Sequence, residues 1–263
     1  MYKIAISDLD GTLLGPDHKI SEQTKTSIHQ WINTGRKFVI ATGRHYIEAK
    51  TLQENIGEPM YLISSNGARV HNEAGEIILK QNLPAHIATE ICELELPSSI
   101  QVNLFTDQHW YANFHIQTLD EMGLNADFNC QATDILKLDK SNIIKIFFWA
   151  DRALLEVLHD QLKLRFGNRI NLTFSLEKCL EVMDANTNKG TAVKAVVEQK
   201  GLSLQDVIAF GDGMNDVEML SIAGKAILMK NSQKALRNAL PDAELTLSSK
   251  DHGVAFKINQ LLS

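Results

Sequence analysis

Strand-like and helix-like segments alternate at both ends of this chain but not in its middle, and that interrupted rhythm restricts the fold most. Short β-branched or apolar runs at Lys3 to Ser7, Phe38 to Ala41 and Tyr61 to Ser64 are separated by helical patterns over about 21–34 and 46–55. Such an alternation builds βαβ units on a parallel sheet. Ser21 suits an N-cap, and Gly35 supplies the stop of the first helix. A hairpin then follows around Gly75, with Arg69 to Asn72 and Glu76 to Leu79 as its arms. From about Leu83 to Asp184 the order changes: a helix over 85–95, strands over 101–105 and 110–113, a helix, a strand over 143–149, a helix over 152–166, then strands over 170–174 and 180–184. Hairpin-like strand pairs beside helices read as an α+β domain. After Lys189 the first rhythm resumes, with strands at 207–210 and 226–229 and helices between and after them. The expected fold class is α/β, with a parallel-sheet core formed by residues 1–82 and 185–263 and an α+β insertion at 83–184.

Composition narrows the function classes. Hydrophobic residues make up 44% of the 263, and charged residues 22%, which are ordinary globular values. Lys plus Arg total 26 against 32 acidic residues, a net charge of −6 with the charges scattered. That balance recommends neither nucleic acid nor an anionic membrane as partner. No apolar run approaches the roughly 18 residues of a spanning helix, and no signal-type segment precedes the first acids. The three cysteines, Cys92, Cys130 and Cys179, are widely spaced and in no metal-binding pattern, which fits a reducing, cytoplasmic compartment.

Four clusters fall where core strands end, the edge on which open parallel sheets bind ligands. They are Asp8-Leu9-Asp10-Gly11-Thr12, Thr42-Gly43-Arg44, Asn188-Lys189-Gly190 and Gly211-Asp212-Gly213-Met214-Asn215-Asp216. Each alone has an ordinary explanation as a turn, an N-cap or a solvated lysine. Their joint occurrence matches what phosphoryl transfer requires: a nucleophile in line, a proton for the leaving oxygen, and cations or oriented donors on the equatorial oxygens. A carboxylate can attack as nucleophile, a second acid can carry the proton, and Mg²⁺ suits a site of carboxylates plus phosphate.

These four clusters, in this order, resemble the haloacid dehalogenase superfamily of phosphatases. Gly211-Asp212-Gly213-Met214-Asn215-Asp216-Val217-Glu218-Met219-Leu220 is similar to its Cof-type branch, with a Rossmann-like core and a C2B-type cap. The resemblance implies a Mg²⁺-dependent phosphatase of small phosphomonoesters, such as sugar phosphates or pyridoxal phosphate, with the cap selecting the substrate. It further implies that Asp8 is the nucleophile and Asp10 the general acid and base. Thr42, Gly43 and the Leu9 amide would hold the phosphoryl oxygens, while Lys189 neutralises charge. Mg²⁺ would sit on Asp8, the Asp10 carbonyl and Asp212, with Asp216 supporting that site and Asn215 touching phosphate or Lys189.

Further substrate candidates are Arg44, as partner of a second anionic group, and Asn66 in Ser65-Asn66-Gly67-Ala68, which resembles the family's S-N-G-A. In the cap they are Glu181, Lys145, His109 and Trp110. One departure stands out: Met229-Lys230-Asn231-Ser232 replaces the branch's usual M-G-N-A, so Lys230 stands where a glycine is common. Either that backbone does not need positive φ or the loop is rearranged. A phosphomutase or phosphotransferase remains open as an alternative, as does a non-enzymatic phosphoacceptor domain. The second acid, Asp10, argues against the last, because a phosphoacceptor can do without it.

Overall fold

The structure is a computed structural model, and it describes residues 1–115 and 128–263. The chain divides into two compact units, residues 1–80 with 188–263, and residues 81–187. The first unit opens with β1 (Ile4–Ser7), α1 (Glu22–Asn33), β2 (Lys37–Ala41), α2 (Tyr46–Glu54), β3 (Tyr61–Ser64), β4 (Arg69–His71) and β5 (Ile77–Lys80). The second contains α3 (Ala85–Cys92), β6 (Gln101–Phe105), β7 (Trp110–Ala112), β8 (Cys130–Ala132), β9 (Lys145–Trp149), α4 (Arg152–Phe166), β10 (Ile170–Leu176) and β11 (Cys179–Asp184). The chain returns to the first unit with α5 (Lys189–Gln199), β12 (Val207–Gly211), α6 (Val217–Ile222), β13 (Lys225–Leu228), α7 (Lys234–Ala239), β14 (Glu244–Leu245) and α8 (Gly253–Leu262).

The first unit is built on an eight-stranded sheet in the order β14-β13-β12-β1-β2-β3-β4-β5. It is parallel from β14 to β3, and β4 and β5 continue it antiparallel. Side chains alternate across the pleat. Ile4 and Ile6 therefore face α5 and α6, where they pack with Val193, Val196 and Met219, while Ala5 faces the other way and packs in the cluster of Ile28, Val254 and Ile258 from α1 and α8. Every residue of β1 is buried, and each large apolar side chain so covered contributes roughly 1.5–3 kcal/mol. Helix α1 starts as its sequence suggests, with the Ser21 hydroxyl accepting from the Thr24 amide at 3.2 Å.

The second unit has a six-stranded sheet, β10-β11-β9-β6-β7-β8, antiparallel except between β7 and β8. Helices α3 and α4 cover the face carrying Val102, Leu104, Ile146, Phe148, Leu180 and Val182. The helix expected between Asn113 and Ile143 lies outside the described residues, apart from 128–142, which carry β8 and a short 3-10 turn. Strand β14 has two residues, too few to show any periodicity in sequence. Helix α6 begins at Val217, because Met214–Asp216 wind as a 3-10 turn first.

Candidate active site

The central strands of the first sheet run β12-β1-β2-β3 in parallel. Their carboxyl ends therefore set 211–216, 8–12, 42–44 and 65–67 side by side, at the point where the strand order reverses about β1. Lys189 reaches the same edge from the start of α5, whose N-cap Asn188 accepts from the Thr191 amide at 2.8 Å.

The electrostatic centre is Lys189, which is 0% exposed. Its ammonium donates to Asp8 Oδ1 and to Asp216 Oδ1, both at 2.6 Å. Burial alone would lower its pKa, but the two carboxylates outweigh burial and hold it above the ordinary lysine value. The other Asp216 oxygen, Oδ2, accepts from the Asp212 and Gly213 amides at 2.9 and 3.0 Å. Asp216 is thus the anchor that fixes both the lysine and the loop after β12.

Asp8 is held well above the usual carboxylate range, by burial first and then by repulsion from Asp216 and Asp212, against the pull of Lys189. Asp212 is pushed up to about 6 by burial and by Asp216, partly offset by the Thr12 hydroxyl that donates to its Oδ1 at 2.9 Å. Ligand atoms of Asp8, Asp212 and Asp216 lie within 4.8 Å of one another. One buried ammonium against this set leaves excess negative charge, and the donors are hard oxygens, so the residues fit a small divalent cation such as Mg²⁺. Asp8 and Asp212 each have a second oxygen that accepts no hydrogen bond among the described residues, while Asp216 is the most fully hydrogen-bonded of the three.

Gly11 makes that approach possible. Its φ is +72°, and a Cβ there would collide with the Asp212 carboxylate. Gly11→Ala is therefore expected to displace Asp212, adding strain of roughly 1–2 kcal/mol from the left-handed backbone. Titration with Mg²⁺ followed by thermal melting checks this: the variant should gain less stability from the cation than the wild-type protein does, and an equal gain would contradict the packing argument.

Asp10 is about half exposed and receives a two-point grip from Arg44, Nε to Oδ2 at 2.7 Å and Nη2 to Oδ1 at 2.5 Å. Arg44, expected to meet a substrate anion, is thus engaged with the second acid of the motif. Thr42 is buried, and its hydroxyl accepts from the Arg44 amide at 3.1 Å. Leu9 is buried directly after Asp8. Asn66 Oδ1 accepts from Asn215 Nδ2 at 3.0 Å and lies against Gly43. Glu181 belongs to the second unit, where it pairs with Lys145 at 2.8 Å. Trp110 shares that region through Phe105, which lies near both Trp110 and Lys145, whereas His109 lies beside Tyr111.

Two long-range contacts of the site have no local signal in sequence. Thr12 was visible as part of the motif, but its partner Asp212 is 200 residues away. Asn231 donates to the Gly11 carbonyl at 2.7 Å and accepts from the Ser249 amide at 2.9 Å, tying the turn after β1 to two later loops. Its neighbour Lys230 is not among the residues with positive φ, so this backbone does not require the glycine usual there.

A family model described as haloacid dehalogenase-like hydrolase matches residues 5–258. A putative phosphatase of Buchnera aphidicola subsp. Baizongia pistaciae is 35% identical over 263 residues, covering 99% of this chain and 98% of that protein. The HMP-PP phosphatase of Escherichia coli O157:H7 is 36% identical over 241 residues, covering 92% of this chain and 89% of the relative. Among solved structures, a haloacid dehalogenase-like hydrolase from Bacteroides thetaiotaomicron has a TM-score of 0.85 at 22% identity, over 99% of this chain and 100% of that one, a likeness of fold. With strand ends, buried lysine and acid cluster arranged as above, these matches make the protein a member of the haloacid dehalogenase-like hydrolases, among the family's phosphatases.

Proposed function

We propose that the protein is a Mg²⁺-dependent phosphatase that hydrolyses small-molecule phosphomonoesters through an aspartyl phosphate on Asp8. The observation that carries this reading is the fully buried Lys189 joined to Asp8 at 2.6 Å, with Asp212 in the same cluster. Two carboxylates raised by burial and by neighbouring acids need a purpose at a strand end, and a cation-assisted nucleophile supplies one. In this reading Asp8 attacks the phosphorus and the leaving oxygen takes the proton carried by Asp10. Asp10 then accepts a proton from the water that opens the acyl phosphate. Lys189 holds Asp8 in one orientation and offsets charge on the transferring group. The Thr42 hydroxyl and the Gly43 and Leu9 amides bind the equatorial oxygens.

Mg²⁺, when bound by Asp8, the Asp10 carbonyl and Asp212, would supply charge neutralisation for phosphate and nucleophile together. Asp216, with both oxygens already engaged, acts in this scheme through Lys189 and the 212–213 amides. Substrates in this proposal are small phosphorylated metabolites. The name of the Escherichia coli relative makes HMP-PP the first compound to try, beside sugar phosphates and pyridoxal phosphate. No helix among the described residues is long and apolar enough to cross a membrane.

The raised acids give this reading a pH signature. In the metal-free protein Asp212 ionises near 6, above the value of 3.8 for a free aspartate, so its contribution to stability is present at low pH and fades as pH rises through 6. A bound cation reverses the sign, because it stabilises the ionised form and competes with protons for Asp8 and Asp212. The rise in melting temperature on adding Mg²⁺ in place of EDTA is therefore expected to be larger at pH 7.5 than at pH 5. A rise that is equal at both pH values, or greater at pH 5, would count against a cation on these carboxylates. Hydrolysis of p-nitrophenyl phosphate should likewise stop in excess EDTA and return with added Mg²⁺.

A further inference from the structure

Ser65, Asn66 and Gly67, directly after β3, have φ of +48°, +54° and +99°. Consecutive left-handed residues, two of them not glycine, persist only where their surroundings hold them. The Ser65 side chain does not explain the turn, since its buried hydroxyl finds no hydrogen-bond partner among the described residues. What the turn does is bond outward through its backbone. The Ser65 amide donates to the Arg44 carbonyl at 2.8 Å, and the Asn66 amide to the Thr42 carbonyl at 3.0 Å.

Both carbonyls of the Thr42-Gly43-Arg44 segment nearest its ends are thereby drawn toward the turn. The Asn66 side chain makes the second link, accepting from Asn215 Nδ2 at 3.0 Å, and it packs so closely on Gly43 that a Cβ there would lie 3.0 Å from its Oδ1. Gly67 makes the third: a Cβ on it would collide with the carbonyl of Asn188, the residue before Lys189. One strained turn thus touches the segments carrying Thr42, Asn215 and Lys189.

We infer that Asn66 is a positioning residue, which fixes the 42–44 segment and Asn215 in register for a bound phosphoryl group. This rests on the phosphatase reading above. Asparagine suits the post because it tolerates the left-handed backbone while offering an amide side chain. Its described links run to the Thr42 carbonyl, Gly43 and Asn215, which places its effect on the oxygen-binding side of the site.

The test combines Asn66→Gly, which keeps the backbone conformation free of strain and removes the side chain, with Asn66→Val, Asn215→Ala and the double variant Asn66→Gly/Asn215→Ala. Inorganic phosphate binding in Mg²⁺, measured by titration calorimetry, and kcat/KM on p-nitrophenyl phosphate are the readouts. Asn66→Gly and Asn215→Ala are each expected to lose about ten- to a hundredfold in both, the scale of a small misplacement of a binding group. The double variant should be no worse than the poorer single one, because the two side chains act as one unit. Asn66→Val, whose β-branch opposes positive φ, should be worse than Asn66→Gly. Losses that multiply in the double variant, or wild-type phosphate affinity in a folded Asn66→Gly, would overturn the inference. Phosphate binding needs no turnover, so it decides the role of Asn66 separately; absence of hydrolysis in the wild-type protein would instead count against the phosphatase reading.

Discussion

Asp8→Asn is expected to lower the turnover of p-nitrophenyl phosphate in Mg²⁺ by at least about 10⁴-fold, the scale reached when the nucleophile is removed from a catalytic unit. The substitution is nearly isosteric, and the neighbours that hold Asp8 remain, including the Phe210 carbonyl to which its amide donates at 3.0 Å. It also removes a buried carboxylate whose charge was opposed by burial, Asp216 and Asp212. The variant should therefore fold, and a melting curve near that of the wild-type protein together with lost activity is the combined result to look for. A cleanly folded Asp8→Asn that turned over at the wild-type rate would assign the nucleophile elsewhere.

Lys189→Met is expected to have the largest effect on stability. The ammonium is wholly buried and shared at 2.6 Å by two buried carboxylates, and methionine fills similar space without the charge. Removing one partner of a buried ion pair leaves an uncompensated charge, at a cost of about 3–5 kcal/mol. Denaturant melts at pH 7.5 in EDTA would measure this. The loss should shrink when Asp216→Asn is added, since the second change removes one of the stranded carboxylates, and additive losses would contradict the coupling. Activity should fall in either background, because Lys189 also orients Asp8.

The parts of the site legible in sequence were those in which residue type and local spacing carry the chemistry. Asp8 and Asp10 sit two apart at the end of a buried strand, and parallel strands bring them to one edge with Thr42 and Asp212, where the start of α5 adds Lys189. What stayed hidden depends on contacts far apart in the chain. Asn66 meets Asn215 across 149 residues, and Arg44 meets Asp10 across 34, so Arg44 read equally well as a group awaiting a substrate anion. Asp216 belongs by type to the acidic cluster, but its bonds to Lys189 and to the Asp212 and Gly213 amides have no local signal in sequence. Positive φ at Ser65 also has no signature, because serine does not favour it, whereas Gly11 and Gly67 at least advertise the permission. Main-chain strain and long-range pairing are set by packing, which a single sequence encodes only collectively.

The central claim is that the phosphoryl group passes through Asp8. It is tested most directly by mixing the wild-type protein with ³²P-labelled p-nitrophenyl phosphate and Mg²⁺, quenching in acid within the first turnover, and mapping any label on the protein by peptide mass. The expected result is a transient acyl phosphate on the peptide containing Asp8, formed before free phosphate and absent from Asp8→Asn. Free phosphate released at the full rate with no labelled protein at any time in that turnover would contradict the account.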